Sequence, residues 1–154
     1  MGEPTITPTR GDLLAADVDA LVNAVNTAGV MGKGIALQFK RRYPEMFTAY
    51  RAAASKGDIV LGRMHVWPTR RTSGPRYVVN FPTKGHWRAT STLPDIEAGL
   101  VALVEAVEEL DIRSIAVPAL GCGNGGLEWD EVEPVIRAAF DNGPAVDVLL
   151  FPPG

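Results

Sequence analysis

Two glycine-rich segments and one lysine carry the residue types best suited to chemistry on an anionic ligand. The first segment runs Val22-Asn-Ala-Val-Asn-Thr-Ala-Gly-Val-Met-Gly-Lys-Gly-Ile-Ala36, the second Pro118-Ala-Leu-Gly-Cys-Gly-Asn-Gly-Gly-Leu127. Each follows an apolar stretch and precedes a helical pattern, an order that turns bare backbone N–H groups and a helix N-terminus toward one anion. Two such cradles suit a diphosphate better than a single phosphate. Neither has the spacing of a dinucleotide fingerprint or a Walker loop, and a glycine triplet alone would read as a plain strand-to-helix turn. Asn23 and Asn26, at the end of an otherwise apolar strand, tilt the balance. Buried amides require partners, and a ribose hydroxyl is a good one.

The segment Asn80-Phe-Pro-Thr-Lys-Gly-His-Trp-Arg88 is the most unusual. Phe81 and Pro82 set an extended exit from a buried strand, which puts Lys84 at the sheet's rim beside the glycine loops. Spacing alone favours an ordinary surface lysine. An amine among apolar and cationic neighbours can instead lose its proton and act as a nucleophile or Schiff-base former. Cys122 is the chain's single cysteine and His65 and His86 its only histidines. No thiol–imidazole pairing is evident, so a small buried thiol is expected rather than a nucleophile. Asp12 either caps a turn or accepts from an adenine amino group. Phe151 is either core or an adenine platform; taken singly, both residues read as structural.

The elements that must position these residues alternate. Strands are expected at Thr5–Arg10, Ala20–Val25, Val60–Trp67, Tyr77–Phe81, Ser114–Pro118 and Val146–Phe151. Helices are expected at Lys33–Tyr43, Glu45–Ser55, Thr92–Leu110 and Asp130–Phe140, with Ser91 or Thr92 capping the longest. The alternation implies a mixed or parallel sheet with helices on both faces, and ligands in such sheets bind beyond the strand C-termini. Both glycine loops fall there.

Length and composition narrow the classes. At 154 residues, 46% hydrophobic and 21% charged, the chain reads as one ordinary globular domain. No run is apolar enough to span a bilayer, and Met1–Arg10 lacks the order of a signal peptide, so a cytoplasmic address is expected. A net charge of −3 argues against non-specific grip on duplex nucleic acid. Yet Lys40-Arg-Arg42, Arg70-Arg71 with Arg76, and Lys84 with His86 and Arg88 are local basic groups. Each alone reads as a solvated surface; together, with Trp67 and Trp87, they leave room for a short single strand. One cysteine, two histidines and scattered acids offer no recognisable metal-ligand set.

Gly11-Asp-Leu13, Val22-Asn-Ala-Val-Asn26, Gly29-Val-Met-Gly-Lys-Gly-Ile-Ala-Leu-Gln-Phe39 and Gly121-Cys-Gly123 with Leu127-Glu-Trp129 resemble a macrodomain across nearly the whole chain. With Asn80-Phe-Pro-Thr-Lys84 and His86-Trp87, the likeness is to the macrodomains of DarG-type antitoxins, akin to the terminal ADP-ribose protein glycohydrolases. The resemblance implies a three-layer α/β/α sandwich around a mixed sheet that binds ADP-ribose at the strand ends. It assigns Asp12, Leu13 and Phe151 to adenine. Asn26 matches the asparagine at the distal ribose, with Thr83 at its rim, and Ala24 and Val25 are also assigned to ADP-ribose binding. Gly34, Ile35, Ala36, Leu37 and Gln38 form one diphosphate segment; Gly121, Cys122, Gly123, Asn124 and Gly125 form the other. Lys84 matches the subgroup's catalytic lysine, and His86, Trp87 and Arg88 are candidates for DNA contact.

One position departs from the protein-directed relatives: they carry an aspartate where this chain has Gly125, so a lysine–aspartate dyad is not transferred. The implied activity is an ADP-ribosyl-DNA glycohydrolase, which removes mono-ADP-ribose from thymine in single-stranded DNA and reverses a toxin's modification. Alternatives are a non-catalytic ADP-ribose reader and a glycohydrolase of ADP-ribosylated protein carboxylates. No cofactor is implied. Residues 1–154 are expected to form a single macrodomain, either stand-alone or the N-terminal domain of a longer antitoxin whose C-terminal region holds the DarT-type toxin.

Overall fold

The computed structural model describes residues 2–86 and 88–154; the expectation for Trp87 lies outside them. Among the described residues, six strands and four α-helices follow in the order β1 (Thr5–Pro8), β2 (Ala20–Asn26), α1 (Gly34–Arg42), α2 (Pro44–Ser55), β3 (His65–Pro68), β4 (Tyr77–Lys84), α3 (Leu93–Glu109), β5 (Ser114–Val117), α4 (Trp129–Asp141) and β6 (Asp147–Leu150). The sheet order is β1-β6-β5-β2-β4-β3. All pairings are parallel except β3–β4, which closes the sheet with an antiparallel edge. The sheet is mixed, with helices on both faces, as the alternation implied.

Alternating side chains along the strands build two cores. Ala20 and Val22 of β2, with Val79 and Phe81 of β4, pack beneath Ile96, Leu100 and Leu103 of α3 and Val132, Ile136 and Phe140 of α4. Leu21, Val25 and Val78 face the other way, toward Phe39 of α1 and Met46 and Tyr50 of α2. This period of two on a sheet covered on both sides makes β2 apolar on both faces. Asn23 is the exception, fully buried on the α2 side. Its amide donates to Asn80 Oδ1 at 3.1 Å, and Asn80 in turn lies 3.0 Å from His65 Nδ1. Burial lowers the His65 pKa, and the neutral ring supplies the acceptor that the Asn80 amide needs.

α3 starts where the sequence signals it. Thr92 Oγ1 accepts from the Asp95 amide, and a proline occupies the first turn. Gly99 in mid-helix would cost about 1 kcal/mol relative to alanine, but a Cβ there would come within 2.4 Å of the Phe81 ring. The missing side chain lets α3 lie directly on the sheet.

Two strand boundaries differ from expectation by three residues or more. Val60–Met64 is not strand; Gly62 turns the chain at φ +84°, and β3 begins at His65. β4 does not stop at Phe81 but continues through Pro82 to Lys84. β3 pairs only as far as Asn80, so Pro82 lies beyond the last antiparallel rung, where a missing donor is tolerated. The parallel partner β2 continues alongside to Asn26.

The chain leaves β2 toward α1 on one face and leaves β5 toward α4 on the other. β2 and β5 are neighbours, so a crevice opens between the two departing loops at their C-terminal ends. That is the topological switch point of an open α/β sheet.

Candidate functional site

Two adjoining cavities occupy this crevice. One, of about 640 Å³, is walled by the end of β2 (Ala24–Asn26), the start of α1 (Gly34–Ala36), Thr83, Lys84 and the second glycine loop (Gly121–Gly125). The other, of about 870 Å³, is walled by Asp12, Leu13, Gln38 and Phe151. Ile35, Pro118, Ala119, Cys122 and Gly123 line both, so the two form one elongated cleft.

The start of α1 and the second glycine loop line the cleft with main chain. Lys33 precedes α1 with no side-chain cap on the first turn, and no acid lies in that turn. The first amides of α1 therefore keep their donors for a ligand, and the helix end favours negative charge. Across the cleft, Gly121 (φ +75°) and Gly123 (φ +66°) turn the second loop into a short 3-10 segment, Gly123–Gly125, again without a side-chain cap. At Gly121 a Cβ would lie 2.7 Å from Leu127, so backbone conformation and space both demand glycine. Within that loop Cys122 and Gly125 already donate to the Ala119 and Cys122 carbonyls, which leaves the amides of Gly123 and Asn124, with those at the start of α1 on the same cavity, for a diphosphate.

The narrower end holds the polar groups. Asn26 is buried and its side chain shapes the first loop: Oδ1 accepts from the amides of Ala28 (3.0 Å) and Val30 (3.3 Å), and Nδ2 donates to the Val30 carbonyl at 2.8 Å. One hydrogen of Nδ2 is left for a ligand. Below it the Tyr50 hydroxyl, fully buried, lies 2.6 Å from the Asn26 carbonyl and 3.0 Å from Oδ1. Burial dominates this phenol and pushes its pKa up to about 12, partly offset by its backbone hydrogen bonds. The end of β4 is tied to the same loop. Thr27 donates its amide to the carbonyls of Lys84 and Gly85, and its hydroxyl to that of Gly85. Lys84 ends β4 with Nζ 3.5 Å from the Asn124 carbonyl, bridging from the strand to the second glycine loop. Among the described residues it has no carboxylate partner.

Gly125 stands behind that amine and cannot carry a side chain without rearrangement. A Cβ there would lie 2.6 Å from Ser91 Oγ and 3.2 Å from Ser91 Cβ, and the Ser91 amide already donates to the Gly125 carbonyl. Cys122 is half-buried, and burial, then the Glu128 charge, raises its thiol pKa. A thiolate is disfavoured, in keeping with its dismissal as a nucleophile. Asp12 caps a 3-10 turn through Oδ1, which accepts from the Leu14 amide, while also lining the wider cavity. Phe151 is 8% exposed, a core residue with one edge on that cavity.

Most sequence-derived site residues thus converge. Leu37 and His86 line neither cavity. Leu37 lies on the side of α1 turned from the cleft, and His86 Nδ1 accepts from the Arg88 amide in a turn. Arg88 does reach the narrower cavity. Asn23, read from sequence as a ribose partner, instead spends its amide inside the core. Tyr50 and Ser91 went unnoticed because a tyrosine on a helix's apolar stripe and a serine before a helix look like packing and capping. Among the described residues no cluster suits a metal ion and no helix is long and apolar enough to cross a membrane.

The Macro domain family matches residues 22–136. The DNA ADP-ribosyl glycohydrolase of Mycobacterium tuberculosis is 57% identical over 148 residues, covering 96% of this chain and 42% of that protein. The macrodomain of M. tuberculosis DarG superposes with a TM-score of 0.97 at 56% identity, covering 99% of this chain and all of that one. The structure of Thermosipho africanus DarTG in complex with ADP-ribose matches with a TM-score of 0.90 at 32% identity, over 97% of this chain and 42% of that chain. The chain thus spans about two fifths of the length of the curated relatives it matches. On sequence match, sheet order and cleft alike, this chain belongs to the macrodomain family.

Proposed function

We propose that the cleft binds ADP-ribose and that the chain hydrolyses the bond joining it to thymine in single-stranded DNA, undoing a toxin's modification. The observation that carries this reading is the Lys84 amine in a cavity shared by the start of α1 and the second glycine loop, 3.5 Å from the Asn124 carbonyl. The DNA ADP-ribosyl glycohydrolase name of the 57%-identical relative supports the substrate. In this reading adenine sits between Asp12 and Phe151. The diphosphate lies on the amides of Gly34–Ala36 and of Gly123 and Asn124. The distal ribose reaches Asn26, Thr83 and Lys84. Residues 1–154 act as one macrodomain; the fusion of transferase and glycohydrolase in a T. africanus relative supports a DarT-type toxin as partner of the longer protein.

The reaction breaks the N-glycosidic bond at the anomeric carbon. The bonding pair leaves with the base nitrogen, and a water oxygen finally takes its place on the sugar. An imide anion is resonance-stabilised, so leaving-group protonation matters less than for ordinary glycosidases, which use paired carboxylates. That fits a site where Gly125 and Ser91 leave no room for an acid. Lys84 then acts at the anomeric carbon as a neutral amine. Its nitrogen bonds to that carbon as the base leaves, and one amine proton goes to the base nitrogen. The ring C–O bond breaks with its electron pair and the second proton on the ring oxygen, and water hydrolyses the resulting Schiff base to free the amine. The rival role is an ammonium that stabilises the departing base. Borohydride trapping decides between them: a lysyl adduct at Lys84 supports the covalent route and its absence during turnover excludes it.

The main test is Lys84→Ala on an ADP-ribosylated oligonucleotide. Turnover is expected to fall about a thousandfold while calorimetric ADP-ribose affinity stays within a factor of two or so. Unchanged turnover would refute the assignment. A second reading, a binder without activity, draws on the missing carboxylate near Lys84; saturable ADP-ribose binding by the native chain with no release from modified DNA would establish it.

A further inference from the structure

The charge of this chain is sorted between the layers of the sandwich. From Lys33 to Arg76 there are ten Lys and Arg residues and two acids, Glu45 and Asp58; elsewhere five cations face sixteen acids. Helices α3 and α4 together carry nine acids and one cation, Arg137. The α1–α2 layer is therefore strongly basic and the α3–α4 layer strongly acidic, although the sum is only −3.

The basic layer has internal order. Phe47 and Arg51 follow one another at four-residue spacing along one side of α2, and Tyr43, which precedes the helix, lies four residues before Phe47. Lys40 Nζ stands 4.4 Å above the Phe47 ring, Arg51 approaches the same ring at 5.5 Å, and Arg71 lies 5.0 Å from the Tyr43 ring. These contacts hold the cations along the helix without neutralising them. None of the three forms an ion pair with a carboxylate among the described residues. Arg76, also over a ring, differs: it is paired with Asp19.

This row starts at the narrow end of the cleft. A Cβ on Gly29 would touch Ala54 at 3.1 Å and Arg51 Cγ at 3.8 Å, so Arg51 lies against the first glycine loop. The next residue of that loop, Val30, lines the cavity that holds Lys84. Arg51 and Lys40 share the Phe47 ring, and Arg71 covers Tyr43, whose carbonyl accepts from the Phe47 amide, so the three cations follow on from this end of the cleft.

We infer that this row, Arg51 of α2 with Lys40 of α1 and Arg71 of the β3–β4 connection, is a track for the phosphodiester backbone of the single-stranded nucleic acid whose modified base reaches Lys84. The inference rests on the proposed reading of the cleft. The chemistry favours a nucleic-acid strand over an acidic protein, because three cations held on neighbouring aromatic rings, none ion-paired with an acid among the described residues, match a polyanion with one charge per repeat. The rings here serve the cations rather than the bases, so the track reads charge and has no sequence preference. The acidic α3–α4 layer repels the same strand and confines it to one side.

The test uses a plain, unmodified single-stranded oligonucleotide and measures fluorescence anisotropy across a salt series. Replacing Lys40, Arg51 and Arg71 together by glutamine is expected to weaken binding about tenfold at low salt and to flatten the slope of log affinity against log salt by about 2. Calorimetric affinity for free ADP-ribose should stay unchanged. The double variant Arg113→Gln, Arg137→Gln on the opposite side removes charge without touching the track and is expected to leave both affinity and slope in place. An unaltered slope in the triple variant, or an equal loss in the control, would overturn the track. So would the absence of any native affinity for the oligonucleotide, the result expected of a face built for an acidic protein. Because the plain strand carries no ADP-ribose, these outcomes are separate from success or failure of the glycohydrolase assignment.

Discussion

The two ends of the cleft are built on different terms. At the narrow end every polar group is held from behind: Asn26 by Tyr50 and by its own loop amides, Lys84 by its strand and by Asn124, the β4 exit by Thr27. At the wide end Asp12 and Phe151 come from short segments near the chain's first and last strands, and Asp12 is exposed. The difference teaches where precision is needed. A reacting carbon tolerates little displacement from its amine, whereas a flat ring needs a platform and one polar contact. Rigid strand ends supply the first, and a loop beside the sheet edge suffices for the second.

The comparison predicts that substitutions at the narrow end change rate or folding and those at the wide end change affinity. The largest effect is expected at Lys84, whose removal costs turnover about a thousandfold and leaves binding alone. Next is Gly125→Asp. Placing a carboxylate against buried Ser91 is expected to destabilise the fold by roughly 3 kcal/mol, about 10 °C in Tm, as read by calorimetric melting. A stable, more active variant would show that the narrow end can accept an acid after all.

Phe151→Leu removes the ring while keeping an apolar side chain. ADP-ribose affinity should fall about tenfold with kcat held. An equal fall in kcat would erase the distinction between the ends. The smallest effect is expected of Tyr50→Phe, which takes one hydrogen bond from Asn26, about 1 kcal/mol. It should lower kcat about fivefold and ADP-ribose affinity less, because it acts on the distal end alone.

Tyr50 also sets an alkaline limit. Its pKa near 10 in the unfolded chain rises to about 12 in the folded one. The folded state then holds a proton that the unfolded state has released. The stability this provides is whole below pH 10 and lost as pH rises through 12. Denaturation followed between pH 9 and 12 should show that loss in the native protein and a shallower one in Tyr50→Phe. Identical slopes would mean the phenol is not buried as described.

Much of the site was legible because its determinants are local. Glycines at Gly121 and Gly123 are needed for positive φ, a property of the residue itself, and the alternation of strand and helix places both loops at strand ends. Asn23 and Asn26 show the limit. They are the same residue three positions apart on one strand, yet one is locked to Asn80 inside the core and the other lines the cleft. Nothing local separates them; β2 ends at Asn26, and the sheet covers Asn23. The extension of β4 to Lys84 was hidden for a similar reason. Pro82 reads as a terminator, and only the early end of β3 makes it harmless.

By itself, then, the amino-acid order determined the repeating elements, the two glycine loops and the amine near the exit of the fourth strand, since turn chemistry and apolar periodicity act over a few residues. Tertiary structure alone decided that Tyr50 stands under Asn26, that Ser91 shuts the space beside Gly125, and that Lys40 of α1 and Arg51 of α2 meet over the Phe47 ring. Each of these joins residues brought together only when both faces of the sheet are packed. Burial and exclusion are properties of that packing, and no short stretch of chain contains them.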